Sequence, residues 1–131
     1  NDAESRRETS AAFFFLNTSK RSVTVDVDSA QGREQLAALV RRFDVVIAGE
    51  TSESLEARGL GYDVLRRWNS AVILTTVSGF GSFGPHSGYQ SSHLVCCAVG
   101  GWCQLCGLPE GEPLQVGGAL SETLAGSFAA V

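Results

Sequence analysis

The chain has no methionine, and its 131 residues open on Asn1 rather than on an initiator. It closes on Ser127-Phe128-Ala129-Ala130-Val131, inside an apolar, helix-favouring run without a stop signal. It therefore reads as a segment of a longer protein. Long hydrophobic runs are missing too. The longest, such as Ala11 to Leu16, fall far short of a bilayer span, which excludes a transmembrane helix within the chain and with it a membrane partner. No basic segment leads into an apolar stretch with a cleavage site, so there is no readable secretory signal. Basic residues are not in excess: 10 Lys and Arg against 14 Asp and Glu leave a net charge of −4, and no positive field exists to hold nucleic acid. Histidine is scarce, with only His86 and His93. Neither has the i, i+4 partner of a metal-binding helix, so each reads as a surface or satisfied histidine. No serine sits in a nucleophile elbow, which removes support for serine-hydrolase chemistry. There is no internal repeat, and the composition is not that of a disordered chain.

What is present is enough apolar sequence for one ordinary domain. Residues 1–10 are polar and charged and read as a flexible N-terminal segment. Ser22 to Val27 alternates Val23, Val25 and Val27 with Thr24 and Asp26, a strand pattern. Ser29 precedes a helical stretch from Ala30 to Arg42 as its cap. Val45-Val46-Ile47 has the continuous apolar character of a strand buried in a parallel sheet. Two short helices are expected over Thr51–Ala57 and Tyr62–Trp68, and a third strand over Ala71–Val77. A glycine-rich loop follows, then an apolar helical stretch from Leu94 to Leu105 interrupted at Gly100-Gly101. Pro109–Gly118 reads as a loop, and a last helix starts at Leu120 with Ser121 as a possible cap. The order is βαβαβ plus C-terminal helices: an α/β, Rossmann-like parallel sheet with flanking helices. Ligands in such sheets bind outside the carboxyl ends of the strands, here near Val27-Asp28, Ala48-Gly49-Glu50 and Val77-Ser78-Gly79.

The four cysteines, Cys96, Cys97, Cys103 and Cys106, lie in one apolar stretch. Cys103 and Cys106 have the CxxC form of a metal or redox pair. The neighbouring side chains of Cys96 and Cys97 diverge on a helix, however, and the CxxC sits late in its stretch rather than opening a helix. Cysteine as a small core residue is the plainer reading, no metal ligand set is assigned, and reduced thiols fit a cytoplasmic protein. Gly79, Gly81 and Gly84 match the GxGxxG spacing literally. They follow the third strand with Pro85 next and no helix at once, so they read as a turn that lets backbone approach a ligand or partner rather than as a dinucleotide fingerprint. Glu122, at the start of the last predicted helix, is the carboxylate to weigh. A helix N-terminus stabilises its anion, although an ordinary first-turn acid has the same appearance.

Several phrases, taken in order, carry a resemblance. They are Asn17-Thr18-Ser19-Lys20-Arg21-Ser22-Val23, Gly32-Arg33-Glu34, Asp44-Val45-Val46-Ile47, Gly59-Leu60-Gly61-Tyr62, Ser78-Gly79-Phe80-Gly81 with Gly84-Pro85, Gly107 with Pro109 to Pro113, and Glu122 to Gly126. In that order the chain resembles part of the large domain of class III CoA-transferases over about residues 13–131, with residues 11–131 forming a partial large domain. The resemblance implies an enzyme that moves CoA from an acyl-CoA to a carboxylic acid through a carboxylate-linked covalent intermediate. It implies no cofactor beyond CoA itself as substrate and product, and an interlocked homodimer at full length. The family's catalytic aspartate falls at Glu122, a carboxylate one methylene longer. The CoA-binding positions fall at Val25, Gly49, Glu50, Ser54 and Arg58. Here the sequence departs again: Ala48-Gly49-Glu50 replaces the family's usual Glu-Asn-aromatic phrase, and Arg58 lies one residue beyond the usual arginine. The resemblance leaves two alternatives open, a non-catalytic homologue and the family's acyl-CoA racemase branch. The racemase histidine falls at Ser92, with His93 one residue displaced.

Overall fold

The structure is a computed structural model and describes residues 10–131; the expected flexible segment lies outside the described residues apart from Ser10. Helix α1 (Ala11–Asn17) opens on a Ser10 cap, whose hydroxyl accepts from the Phe13 N–H. Helix α2 (Ala30–Val40) begins as expected at Ser29, whose Oγ accepts from the Gly32 N–H at 3.0 Å. Strand β1 (Val45–Ala48), helices α3 (Ser52–Ala57) and α4 (Tyr62–Trp68), and strand β2 (Ile73–Thr76) follow in the expected order. Helices α5 (His93–Val99) and α6 (Trp102–Leu105) are separated at Gly100-Gly101, where Gly101 takes a φ of 81°. Helix α7 (Leu120–Ala129) completes the described chain.

Strands β1 and β2 are parallel, with Val45 opposite Ile73 and Ala48 opposite Thr76. The protein is thus α/β, with a small parallel sheet and flanking helices. Ser22–Val27, expected as a strand, is not one. Its alternation gives extended backbone, but a strand also needs a ladder partner, and among the described residues this segment has none; Val23 remains 66 % exposed.

Helices α2 and α4 cover one face of the sheet. Val40, Leu65 and Val72 are buried there, packed by Leu36, Val46, Trp68 and Leu74. The expectation that Val45-Val46-Ile47 is buried on both faces of the sheet is corrected: Val45, Ile47 and Ile73 point to the other face and are exposed. Only one face finds a helical cover among the described residues, so the continuous apolar run is half used.

Two long-range polar ties hold the helices in register. The Asn69 amide donates to the carbonyls of Val40 and Phe43, at 3.2 and 3.0 Å, and so satisfies the open end of α2. Arg33 on α2 donates to the carbonyls of Arg58 and Gly59, at 2.7 and 3.4 Å, and places a cation at the C-terminus of α3.

Candidate active site

The cavity of interest lies at the carboxyl ends of β1 and β2, as parallel-sheet logic expects. Its volume is about 520 Å³, and its walls include Gly49, Ser78, Gly79, His93, Cys96 and Glu122. Val27 and Asp28, the end of the first expected strand, do not line it. Glycine at position 79 is required by close approach: a Cβ there would collide with the Ser91 side chain, so the loop after β2 could not lie against the segment that leads into α5. The loop is also tied to the start of α3 by a 2.9 Å contact between the hydroxyls of Ser52 and Ser82. No helix starts within Gly79–Pro85, in keeping with the turn reading of its glycines.

Glu122 stands in the first turn of α7 and faces this cavity. The expected cap, Ser121, does not cap the helix. Ala119 holds the cap position without a side-chain bond, and the Ser121 hydroxyl instead donates to Glu122 Oε2 at 2.8 Å. His93, the first residue of α5, brings Nδ1 to 2.9 Å from the same Oε2 and 2.8 Å from Ser121 Oγ. Hydrogen bonds from the backbone of the turn, from Ser121 and from His93 hold the Glu122 carboxyl below the usual carboxylate range, outweighing some desolvation. Its side chain remains 58 % exposed, so this anion is reachable from the cavity.

Sequence reasoning read His93 as a surface or satisfied histidine, and the second holds: its side chain is 17 % exposed, with Nδ1 in contact with Ser121 and Glu122. What it missed is that its partner is the one carboxylate singled out. The available signal was the histidine position of the racemase branch, one residue away. Ser92, at that position, caps α5 by accepting from the Val95 N–H.

The other expected site residues divide into three places. Gly49 is in the cavity wall with Glu122, and nothing lies within 4 Å of where its Cβ would be. Glu50, Ser54 and Arg58 come together around α3: Glu50 pairs with Arg58 at 2.9 Å and accepts from the Ser54 hydroxyl at 2.8 Å. Glu50 is therefore not an unpaired negative charge beside the cavity. Val25 lies in a separate hollow with Gln35, Ala38 and Arg42. Cys97 and Cys103 are buried, Cys96 and Cys106 half-buried, and all four are free thiols. Among the described residues, no three His, Cys, Asp or Glu side chains are arranged to hold a metal ion.

The site thus combines a parallel α/β sheet with a carboxylate held beyond its strand ends. The profile of CoA-transferase family III matches residues 2–131, and the chain belongs to that family. It is 31 % identical over 120 residues to the succinate–glutarate CoA-transferase of Agrobacterium fabrum, covering 91 % of this chain and 30 % of that protein. It is 30 % identical over 111 residues to a formyl-CoA:oxalate CoA-transferase of Streptomyces coelicolor, covering 85 % and 27 %. Among solved structures, a CaiB/BaiF family protein of Brucella suis superposes with a TM-score of 0.71 at 32 % identity, over 85 % of this chain and 31 % of that one. A hypothetical protein of Mycobacterium tuberculosis gives 0.76 at 31 %, over 92 % and 36 %. The chain spans about 30 % of the length of the curated relatives named here.

Proposed function

We propose that the protein transfers CoA from an acyl-CoA thioester to a carboxylic acid, with Glu122 as the covalent nucleophile. The observation that carries this reading is a single ionised, solvent-reachable carboxylate in the cavity at the strand ends, with one oxygen held by Ser121 and His93. The other oxygen attacks the donor carbonyl. An O–C bond forms, the C–S bond breaks, and CoA leaves as thiolate with the bonding pair. The product is a mixed anhydride between Glu122 and the acyl group. The thiolate then attacks the Glu122 carbonyl, expels the donor carboxylate and leaves Glu122 as a CoA thioester. The acceptor carboxylate attacks that thioester, and the released thiolate captures the acceptor acyl group, regenerating the free carboxylate. Each proton-free step exchanges one leaving group for one nucleophile, and CoA is both substrate and product. Gly49, with open space where its Cβ would be, is assigned to CoA contact, as are Glu50, Ser54 and Arg58 around α3 and Val25 in its separate hollow. At full length the active unit is an interlocked homodimer.

The test uses the full-length protein. It is incubated with a series of acyl-CoA donors and quenched with hydroxylamine or borohydride, and any adduct is mapped by mass spectrometry. Modification of Glu122, lost in Glu122→Ala, is the expected result. No modification with any donor and no binding of CoA would overturn the reading in favour of a non-catalytic homologue.

A second reading has one observation in its favour. The contact between His93 and Glu122 pairs a histidine with an acid, the two group types that move a proton α to a thioester in the racemase branch. Exchange of an α-hydrogen label without CoA exchange would select it.

A further inference from the structure

The arrangement behind Glu122 extends one residue further than the catalytic reading needs. Cys97, one helical turn after His93 on α5, is 1 % exposed and lies against the ring, with Sγ 3.7 Å from His93 Nε2 and 3.9 Å from Nδ1. Protons can be assigned around these groups by elimination. The single Ser121 hydroxyl proton is on the Glu122 side, and the ionised carboxylate has none to give. The proton between Nδ1 and its two oxygen partners therefore belongs to Nδ1. Nε2 faces the Val116 carbonyl at 3.5 Å. Burial, together with the nearby Cys103 and Glu122, pushes the Cys97 thiol up, so its proton stays on sulfur.

We infer that His93 and Ser121 form a hydrogen-bonded clamp, with the imidazole packed against Cys97, that keeps a proton on Nδ1, pins Oε2 of Glu122 and leaves Oε1 as the attacking oxygen. A glutamate side chain has three rotatable bonds and stands in the open here. Two donors on one oxygen remove most of that freedom before substrate arrives. His93 is a positioning residue, since it does not need to touch substrate. The kinetic part of this inference rests on the reading of Glu122 as nucleophile; the part about the Nδ1 proton does not.

Two measurements on the full-length protein separate the outcomes. The first is the ¹⁵N spectrum of the imidazole ring, assigned by its loss in His93→Asn. It should show a proton on Nδ1. A bare Nδ1 would overturn the clamp whatever the activity. The second is the rate of adduct formation on Glu122. His93→Ala should slow it by roughly tenfold to a hundredfold, with little change in KM for the donor. His93→Asn, whose amide N–H stands close to the place of Nδ1–H, should recover a large part of the loss. Should His93→Ala fail to fold, the comparison of His93→Asn with His93→Gln, whose amide reaches the other nitrogen's place, carries the test. Adduct formation at the wild-type rate in both His93→Ala and His93→Gln overturns the clamp. Absence of any adduct in the wild type overturns instead the nucleophile reading.

Discussion

At the scale of single residues, the electrostatics of Glu122 has a direct consequence for acid behaviour. Its folded carboxyl is held below its ordinary value of 4.5, through the backbone of its turn and through Ser121 and His93. The sign follows from linkage: the ionised form stabilises the folded state, fully so above 4.5, and this stabilisation is lost as pH falls through the depressed value. Glu122→Gln should therefore melt below the wild type near pH 6. The gap should close in acid, where wild-type Glu122 is also neutral. A gap independent of pH would show that the carboxylate is not held by these contacts. Glu122 was legible in the sequence because a resemblance pointed at its position. His93 was not, because 29 residues separate it from Glu122 and only the packing of α5 on α7 closes that distance.

At the scale of elements, caps and helix periods were legible, and sheet membership was not. Ser29 and Thr51 cap α2 and α3 because a short hydroxyl side chain can reach back to a free N–H within its own turn. That is a local event, so local sequence shows it. Ser121 has the same residue type, but it lies inside the first turn of α7, past the Ala119 cap position, and its hydroxyl donates to the neighbouring Glu122 carboxylate. Asn69 illustrates a non-local element contact. Its amide closes the end of α2 from the far side of α4, and its own N–H partners leave no apolar signature in the sequence. Asn69→Ala should destabilise the full-length protein by about 1–3 kcal/mol, read by chemical denaturation. Asn69→Asp should cost more, because an anion would then face two carbonyl oxygens. Equal stability of all three would mean that water satisfies those carbonyls without Asn69.

At the scale of the whole molecule, large apolar side chains stay uncovered among the described residues: the open sheet face at Val45, Ile47 and Ile73, and side chains such as Phe15, Leu105 and Phe128. Patches of this kind mark contact with other protein surface. The 131-residue segment produced alone should bind a hydrophobic dye, melt without a sharp transition and catalyse no CoA exchange. A cooperative melt together with CoA exchange by the isolated segment would refute this.

The sequence by itself determined the α/β class, the position of nearly every helix, the strand ends that line the cavity and the carboxylate that faces it. These follow from periodicity, caps and phrase order, each of which is written within a few residues of chain. Only the tertiary structure decided which apolar runs are covered, that Ser22–Val27 has no ladder partner among the described residues, and that His93, Ser121 and Cys97 converge behind Glu122. Those outcomes depend on which element lies against which. Side chains far apart in the chain acquire their chemistry from that proximity, and no local pattern encodes it.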